Sequence, residues 1–213
     1  KIYVKKKVEI LTFIDNGISI DWIKRAGAKV QNLLSKGSLN HLKYQLKKTP
    51  KQHFEDIQKI LLKAKEIDVD TNVYLEDWSN GMKNSKNYVF DFLDFLSNQS
   101  VKRILLPDTL GVLNPSESYD FINEVVIKYP EIHFDFHAHN DYDLSVANAL
   151  EGLKAGCHGI HTTINGMGER AGNTPMASIV AVIKDFLPNH EINVDEEALF
   201  RVSKLVSTFS GFR

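Results

Sequence analysis

Apolar positions along the chain follow two alternating patterns, short runs rich in β-branched and aromatic residues and longer stretches with helical spacing. The short runs predict six β-strands. They cover residues 7–14, 28–34, 71–76, 103–107, 132–137 and 159–164. Successive strands begin about 20 to 40 residues apart, which is the spacing of βα units. The pattern therefore predicts an α/β protein with a parallel sheet.

Capping residues mark where several of the intervening helices begin. Thr49 and Gln52 form a capping box in front of an apolar stripe with helical spacing. Asn114 and Glu117 repeat this arrangement before a second helix. We expect Asp141 to cap the helix that follows the fifth predicted strand.

Six βα units fit either an open doubly wound sheet or most of a (β/α)8 barrel. The phosphate-binding signatures of the open sheet are missing, since no GxGxxG follows the first strand and no GxxxxGK[ST] occurs. A barrel usually has about 250 residues and eight units, so the count falls two units short of a barrel. No linker or low-complexity tract divides the chain, and the polar stretch 80–87 is expected to be a loop.

Composition excludes several classes of protein. The 213 residues are 43% hydrophobic and 25% charged, and 26 Lys and Arg against 27 Asp and Glu give a net charge of −1. A nucleic-acid-binding surface would need an excess of basic residues. No apolar run approaches the ~20 residues that span a bilayer, which argues against a membrane protein. The single cysteine, Cys157, permits no intramolecular disulfide, which fits a reducing, cytoplasmic compartment.

Polar residues follow four of the predicted strands, at the point where each strand ends. Glu76 and Asp77 close the third strand, and Thr109 follows the fourth. His139 lies at the end of the fifth strand and Asn165 after the sixth. In parallel α/β proteins the carboxyl ends of the strands face the active site. We therefore expect the functional residues at these ends.

His137 and His139 are two positions apart on the fifth predicted strand, so both side chains point to the same side. Two neutral imidazoles combined with oxygen ligands suit a divalent metal ion. Hydrogen bonding of both histidines to loop backbone is the alternative. Asp135 shares their face and is expected to orient a ligating histidine. The other histidines in helical or loop contexts are expected to have no chemical role, namely His41, His53, His133, His158 and His190.

A glycine-rich segment with the sequence NGMGERAGN follows the sixth predicted strand at 165–173. Glycines in this pattern suit unusual backbone angles and a close approach to a ligand. Glu169 and Arg170 lie between the glycines, so an acid and a base are held in one loop. A flexible connector explains this combination less well than a binding loop does.

Three motifs, LPDTLG, HAHND and NGMGERAGN, together resemble the catalytic barrel of the 2-isopropylmalate synthase and homocitrate synthase family. These enzymes belong to the DRE-TIM metallolyases, with HMG-CoA lyase and citramalate synthase. The resemblance covers nearly the whole chain and implies a (β/α)8 TIM barrel in which the first strand found here is the third. The first two βα units, with their D-R-E/D-G-x-Q motif, are then absent from the sequence. A partial barrel over 1–193 and the start of a helical segment over 194–213 are implied.

The resemblance also implies the residues of the site. A divalent metal ion, Mg, Mn or Zn, would be held by His137, His139 and Asn173. The family's remaining ligand, an Asp, lies in the missing N-terminal motif. Glu76 matches a catalytic Glu close to the substrate and the acetyl group. The residues implied to bind substrate are Thr109, Tyr74, Glu169 and Arg170.

The activity implied by the resemblance is the condensation of acetyl-CoA with a 2-oxo acid by an acyltransferase, as in 2-isopropylmalate synthase and leucine biosynthesis. A homodimer is implied as well. Tyr74 stands where synthases commonly carry Ser, and His161 stands where isopropylmalate synthases have Glu. Gln31 and Asn32 lie near the position of a family His.

These departures leave alternatives open. A homocitrate or citramalate synthase is one alternative, and a non-catalytic relative that binds an oxo acid or regulates a synthase is another. A lyase is less favoured, because the glycine-rich segment lacks the catalytic Cys of HMG-CoA lyase.

Overall fold

The computed structural model describes residues 8–211, and position 7, where the first predicted strand begins, lies outside the described residues. The chain divides into two compact units. The first comprises the described residues up to 107 together with 129–134, and the second comprises 108–128 together with the described residues from 135 onward. Each unit is built from helices and parallel strands, which confirms the α/β class.

The first unit contains three parallel strands and all but the last residue of a fourth, which pair in chain order. They are β1 (Glu9–Thr12), β2 (Val30–Lys36), β3 (Asp70–Glu76) and β4 (Arg103–Asp108). The helices are α1 (Ile18–Ala26), α2 (Leu39–His41), α3 (Pro50–Glu66), α4 (Trp78–Asn84) and α5 (Lys86–Ser97). A π-helical turn over Leu42–Leu46 continues α2. All four strands lie within a few residues of the predicted positions.

Alternation along β2 and β3 places polar side chains next to each other on one face of the sheet. The parallel register aligns Asn32 with Asn72 and Lys36 with Glu76. The Asn72 Nδ2 donates to Asn32 Oδ1 at 2.8 Å, and the Lys36 Nζ contacts Glu76 Oε2. Successive side chains of a strand point to opposite faces, so the residues between these turn the other way. That other face is buried and mixed, with Leu33, Val73 and Leu75 beside the polar residues Gln31, Ser35 and Thr71.

Aromatic side chains join α3 and α5 in the core of the first unit. Phe54 stacks with Phe92 and Phe95, with ring centroids 5.1 and 5.0 Å apart. His53 is buried beside them, and its Nε2 accepts the backbone amide of Lys36 at 3.2 Å. This hydrogen bond attaches α3 to the end of β2, the strand that carries Lys36.

The prediction of a loop over 80–87 is wrong. Helices α4 and α5 cover this stretch and are interrupted at Ser85. Trp78 and Met82 of α4 are buried. Burial of this apolar pair outweighs the low helix propensity of the Ser, Asn and Gly residues around it, because propensity differences are below about 1 kcal/mol per residue.

The second unit contains most of β5 (His133–Ala138) and β6 (Gly159–His161), which pair in parallel. Its helices are α6 (Pro115–Lys128), α7 (Ser145–Lys154), α8 (Met176–Phe186) and α9 (Glu196–Ser210), with a 3-10 turn over Ile164–Gly166. Phe136 and Ala138 are buried. Asp135 and His137 alternate with them, and the register places His161 beside His137 on the same face.

Two of the predicted helix starts are confirmed. The Thr49 Oγ1 accepts the Gln52 amide, and the Gln52 Oε1 accepts the Thr49 amide, so both halves of the capping box of α3 are present. Asn114 and Glu117 make the same reciprocal pair, at 2.9 and 3.1 Å, before α6. Both motifs depend on residues three positions apart, which is why the sequence alone reveals them.

The predicted cap at Asp141 is wrong. The Asp141 carboxylate binds the Arg170 guanidinium, and the neighbouring Asn140 Oδ1 accepts the Ser145 amide at the start of α7. A charge-assisted pair is stronger than a neutral cap, so the carboxylate turns toward the arginine. Within residues 8–211, no helix is long and apolar enough to cross a membrane.

Candidate active site

The end of β5 brings two imidazole rings together in the second unit. The Nε2 atoms of His137 and His139 are 3.2 Å apart, and the ring centroids are 4.9 Å apart, with the planes at 81°. Two nitrogen ligands at about 2.1 Å from one ion are separated by about 3.0–3.4 Å. The spacing of the rings therefore fits a shared metal ion as well as it fits a hydrogen bond.

Both imidazoles are held in the neutral form. Burial, followed by the neighbouring His161 and His139, lowers the pKa of His137 to about 3. Burial, followed by the Arg170 guanidinium, lowers the pKa of His139 as well. A metal ion needs the lone pair of a neutral imidazole. At neutral pH both rings can therefore serve as ligands without first losing a proton.

Asn173 lies beside this pair because the glycine-rich segment returns to the end of β5. It forms an antiparallel bridge with His139, and the Asn140 amide donates to the Gly172 carbonyl oxygen at 3.0 Å. The Asn173 Nδ2 donates to the Met167 carbonyl oxygen at 3.0 Å, which fixes the orientation of the side-chain amide. The Asn173 Oδ1 is buried and accepts no hydrogen bond from the described residues. Leaving such an oxygen unmatched costs free energy, which a bound cation would recover.

The donors present fit a divalent ion. Two imidazole nitrogens and one amide oxygen form the mixed set that Zn²⁺ and Mn²⁺ accept, and Mg²⁺ accepts the oxygen. Across residues 8–211 no group of three or more His, Cys, Asp and Glu side chains is arranged so that it could hold a metal ion by itself. His137, His139 and Asn173 therefore remain candidate ligands, as the sequence resemblance implies.

Arg170 connects the glycine-rich segment to two other loops of the second unit. Its Nε and Nη2 donate to the two carboxylate oxygens of Asp141 at 2.8 and 2.9 Å. The Nη2 also donates to the Thr109 carbonyl oxygen at 2.7 Å, and the Nη1 donates to Glu169 Oε1 at 2.8 Å. The guanidinium holds the pKa of Asp141 below its usual range. Glu169 Oε1 in turn lies 3.9 Å from the Nε2 of His139.

The buried Asp135 carboxylate faces His161. Its Oδ2 lies 3.3 Å from His161 Nε2, and the His161 ring centroid is 5.7 Å from that of His137. Gly159 leaves room for this contact, since a Cβ there would lie 2.4 Å from Asp135 Oδ1. Asp135 thus contacts a histidine, as expected, but this contact is with His161, which the sequence does not identify as a metal ligand.

In the first unit, Tyr74 and Glu76 lie at the end of β3. The Glu76 Oε2 contacts Lys36 Nζ, and the Glu76 Oε1 lies 3.6 Å from His41 Nδ1. The other ring nitrogen of His41 is 3.5 Å from Asp77 Oδ2. The side chains of Lys36 and Glu76 are only 12% and 20% exposed. Solvent therefore screens this ion pair less than it screens a surface pair.

Lys36 and His41 are neighbours of Glu76 that the sequence does not predict. Lys36 lies beside Glu76 because the parallel register aligns the last residue of β2 with the last residue of β3, and the sequence does not reveal that register. His41 was expected to have no chemical role, yet its ring lies between two carboxylates. Its position depends on α2 and on the π-helical turn, and no local motif predicts those.

The second unit holds most of the predicted site residues. It contains Thr109, His137, His139, Glu169, Arg170 and Asn173. Tyr74 and Glu76 belong to the first unit. The roles of all eight remain predictions, and within the second unit the metal-ligand candidates and the Glu169–Arg170 pair lie close together.

Sequence comparison identifies a family of related proteins. A family model described as HMGL-like matches residues 10–206. Curated relatives include the 2-isopropylmalate synthase of Sulfurisphaera tokodaii, 33% identical over 171 residues, and the homocitrate synthase of Saccharolobus islandicus, 35% identical over 175 residues. Each alignment covers 80% of this chain but only 43% and 36% of the respective relative. The chain thus spans less than half the length of these relatives.

Solved structures with the same fold include two lyases. The HMG-CoA lyase of Acinetobacter baumannii, in complex with coenzyme A and 3-methylmalate, has a TM-score of 0.80 at 20% identity and matches 94% of this chain and 68% of its own. The hydroxymethylglutaryl-CoA lyase of Pseudomonas aeruginosa has a TM-score of 0.79 at 18% identity, over 96% and 70%. At these identities the likeness shows the fold alone. It confirms the predicted TIM-barrel class, with this chain as part of such a barrel.

Proposed function

This chain belongs to the HMGL-like family, and from this premise we propose that it supplies the catalytic barrel of an acyltransferase that condenses acetyl-CoA with a 2-oxo acid. Relatives named 2-isopropylmalate synthase and homocitrate synthase support this class of reaction. The observation that carries the proposal is the pair of neutral imidazoles, His137 and His139, with their Nε2 atoms 3.2 Å apart. The side-chain oxygen of Asn173, which accepts no hydrogen bond from the described residues, is the third candidate metal ligand of the second unit.

Seven of the eight predicted site residues receive a role in this proposal. His137, His139 and Asn173 would hold a divalent ion, which when bound acts as a Lewis acid on the ketone of the oxo acid. Glu76 is proposed as the catalytic carboxylate near the acetyl group. Its contact with Lys36 keeps the carboxylate in one orientation. Thr109 is proposed to donate its hydroxyl to the carboxylate of the oxo acid.

The names of the relatives and the side chains expected at the site support a proposal for the oxo acid. We propose a branched-chain 2-oxo acid, because several of the similar curated relatives are 2-isopropylmalate synthases. Tyr74, a large side chain at the end of β3, would border the substrate, and Glu169 would contact it. A dicarboxylic oxo acid is the second candidate, supported by the homocitrate synthase relative at 35% identity and by His161.

Acetyl-CoA is proposed as the acyl donor because of the relatives named as synthases, and the structurally similar lyase of Acinetobacter baumannii was solved with coenzyme A. The homodimer implied by the sequence resemblance and the cytoplasmic location inferred from the single cysteine remain predictions.

Thiol release from acetyl-CoA tests the proposed function. We expect release only with a divalent ion and with one preferred acid from a panel of branched-chain, dicarboxylic and short 2-oxo acids. Chelation of the ion should abolish it. His139→Ala should lower the rate by roughly 100-fold or more, because a ligand of the Lewis acid is lost. His190→Ala, in an exposed position after α8, is the matched control and should leave the rate unchanged.

An unchanged rate of thiol release in His139→Ala would contradict the proposal that His139 is a metal ligand. Binding of metal and oxo acid without thiol release for any acid of the panel would instead identify a non-catalytic relative. Cleavage of an acyl-CoA in the absence of an oxo acid would identify a lyase.

A further inference from the structure

The Arg170 side chain has little capacity left for a substrate. A guanidinium carries five N–H donors in a fixed planar fork. In this structure the Nε and the Nη2 donate to Asp141, and the Nη1 donates to Glu169. The Nη2 also donates to the Thr109 carbonyl oxygen, and all four distances lie between 2.7 and 2.9 Å. The contact with Asp141 is bidentate, the strongest geometry for this pair of groups.

The partners of Arg170 belong to separate loops of the second unit. Thr109 follows β4, Asp141 follows β5, and Arg170 itself lies in the glycine-rich segment. Gly111 lets the loop after β4 approach Asp141, since a Cβ there would lie 2.7 Å from Asp141 Oδ2. One side chain thus holds two loops and the glycine-rich segment together.

Backbone hydrogen bonds connect these loops to the candidate metal ligands. The Gly172 and Asn173 amides donate back into the segment, to the Glu169 and Gly166 carbonyl oxygens at 2.9 and 3.0 Å. The Gly172 carbonyl oxygen accepts the Asn140 amide at 3.0 Å, next to Asp141. Asn173 forms its bridge with His139 directly after this hydrogen bond.

We propose that Arg170 is a positioning residue, which clasps the glycine-rich segment to the loops after β4 and β5 and thereby sets the Asn173 side chain beside His137 and His139. This role replaces the substrate contact that the sequence resemblance implies for Arg170. The inference rests on the proposed metal site, but it does not depend on which acid is condensed or on turnover.

Hydrogen exchange of the metal-free protein tests the clasp directly. In Arg170→Gln we expect the Gly172 and Asn173 amides to exchange at least roughly tenfold faster than in the wild type, because the segment loses its attachment. Asp141→Asn should give the same result, since it removes the charged partner and keeps the arginine. Lys154→Gln is the matched control, because it breaks an exposed ion pair with Glu151 on α7. It should leave both amides unchanged.

Mn²⁺ titration then tests the link to the metal ligands. Both clasp variants should bind Mn²⁺ roughly 10- to 100-fold more weakly, which is the range for residues that orient a ligand. Faster exchange with an unchanged Mn²⁺ affinity would overturn the positioning of Asn173, and unchanged exchange would overturn the clasp itself. Should Arg170→Gln fail to fold, Asp141→Asn and Arg170→Lys answer the same question. If the wild-type protein binds Mn²⁺ but condenses no oxo acid, the proposed function is wrong. The exchange and Mn²⁺ measurements still test the clasp in that case.

Discussion

Lys36 and Glu76 form an ion pair that sits largely away from solvent at the ends of two strands. Taking two charges out of water is costly, and mutual attraction offsets the cost only while both partners are present. Removing one partner leaves the other uncompensated. The register of β2 and β3 fixes this pairing, so the orientation of the proposed catalytic carboxylate is set by a residue on the neighbouring strand.

Substitution of Lys36 should therefore damage the reaction more than it damages binding. In Lys36→Met we expect kcat to fall roughly 10- to 100-fold with little change in KM, because small misplacements of a reacting group cost that much. Lys36→Arg keeps a cation and should recover part of the rate. The control is Lys29→Met, which breaks an exposed ion pair with Asp68. Wild-type kinetics in Lys36→Met would show that Glu76 needs no such support.

His53 should make the stability of the protein depend on pH. Burial, followed by Lys48, lowers the pKa of His53 to about 4 from an ordinary value of 6.5. Above pH 6.5 the ring is neutral in both the folded and unfolded states. Below it the unfolded state takes up the proton first, so this contribution to stability is lost as the pH falls from 6.5 to about 4. The loss should approach about 3 kcal/mol.

The measurement compares the wild type with His53→Gln, which keeps an acceptor for the Lys36 amide but does not titrate. Urea unfolding at several pH values gives the difference in unfolding free energy between the two proteins. That difference should shrink as the pH is lowered from 7 to 4. A difference that stays constant would show that His53 keeps its ordinary pKa in the folded protein.

Among single residues, the sequence predicts those that belong to local motifs. His137, His139 and Asn173 were found because HxH and the glycine-rich segment are local patterns, and the structure brings them together. His41 and the ion pair of Lys36 were missed because they depend on which residues lie across a sheet register or after a π-helical turn. Such neighbours are distant in sequence, and no periodicity indicates them.

The start of α3 shows how much a single element depends on its first turn. The capping box satisfies backbone amides that have no partner inside the helix. α3 in turn carries His53 and Phe54, which hold the end of β2 and the aromatic cluster of α5. A weaker start of α3 should therefore also weaken the packing of α3 against β2, the strand that carries Lys36.

Thr49→Ala should lower the free energy of unfolding by about 1 kcal/mol, because one amide of the first turn loses its acceptor. Urea denaturation followed by far-ultraviolet circular dichroism measures this change. Thr208→Ala is a suitable control, since Thr208 lies within α9 and its hydroxyl bonds only the Lys204 carbonyl oxygen among the described contacts. Equal stability of Thr49→Ala and the wild type would contradict a role for the cap.

Elements with a strong period were predicted, and elements that depend on burial were not. The four strands of the first unit were located because β-branched and aromatic runs are typical of buried parallel strands. Helix α4 was missed because its Asn, Ser and Gly residues predict a loop, while the burial of Trp78 and Met82 is a tertiary effect. Asp141 was misassigned for the same reason, since its partner Arg170 is 29 positions away.

For the whole molecule, the family and the barrel class were the most predictable features, and the arrangement of the site was the least. Motifs with fixed spacing identify the HMGL-like family, and the count of strands identifies part of a barrel. The compact unit to which each predicted site residue belongs follows from packing and has no sequence signal.

Both tryptophans of the chain, Trp22 and Trp78, belong to the first unit. One is buried in α4, and the other is 58% exposed on α1. Tryptophan fluorescence therefore reports on the first unit alone, and the second unit is optically silent at the excitation wavelength selective for indole. Added iodide would quench the Trp22 emission and leave that of Trp78. Agreement between the fluorescence transition and the transition seen by circular dichroism would mean that the two units unfold as one cooperative system.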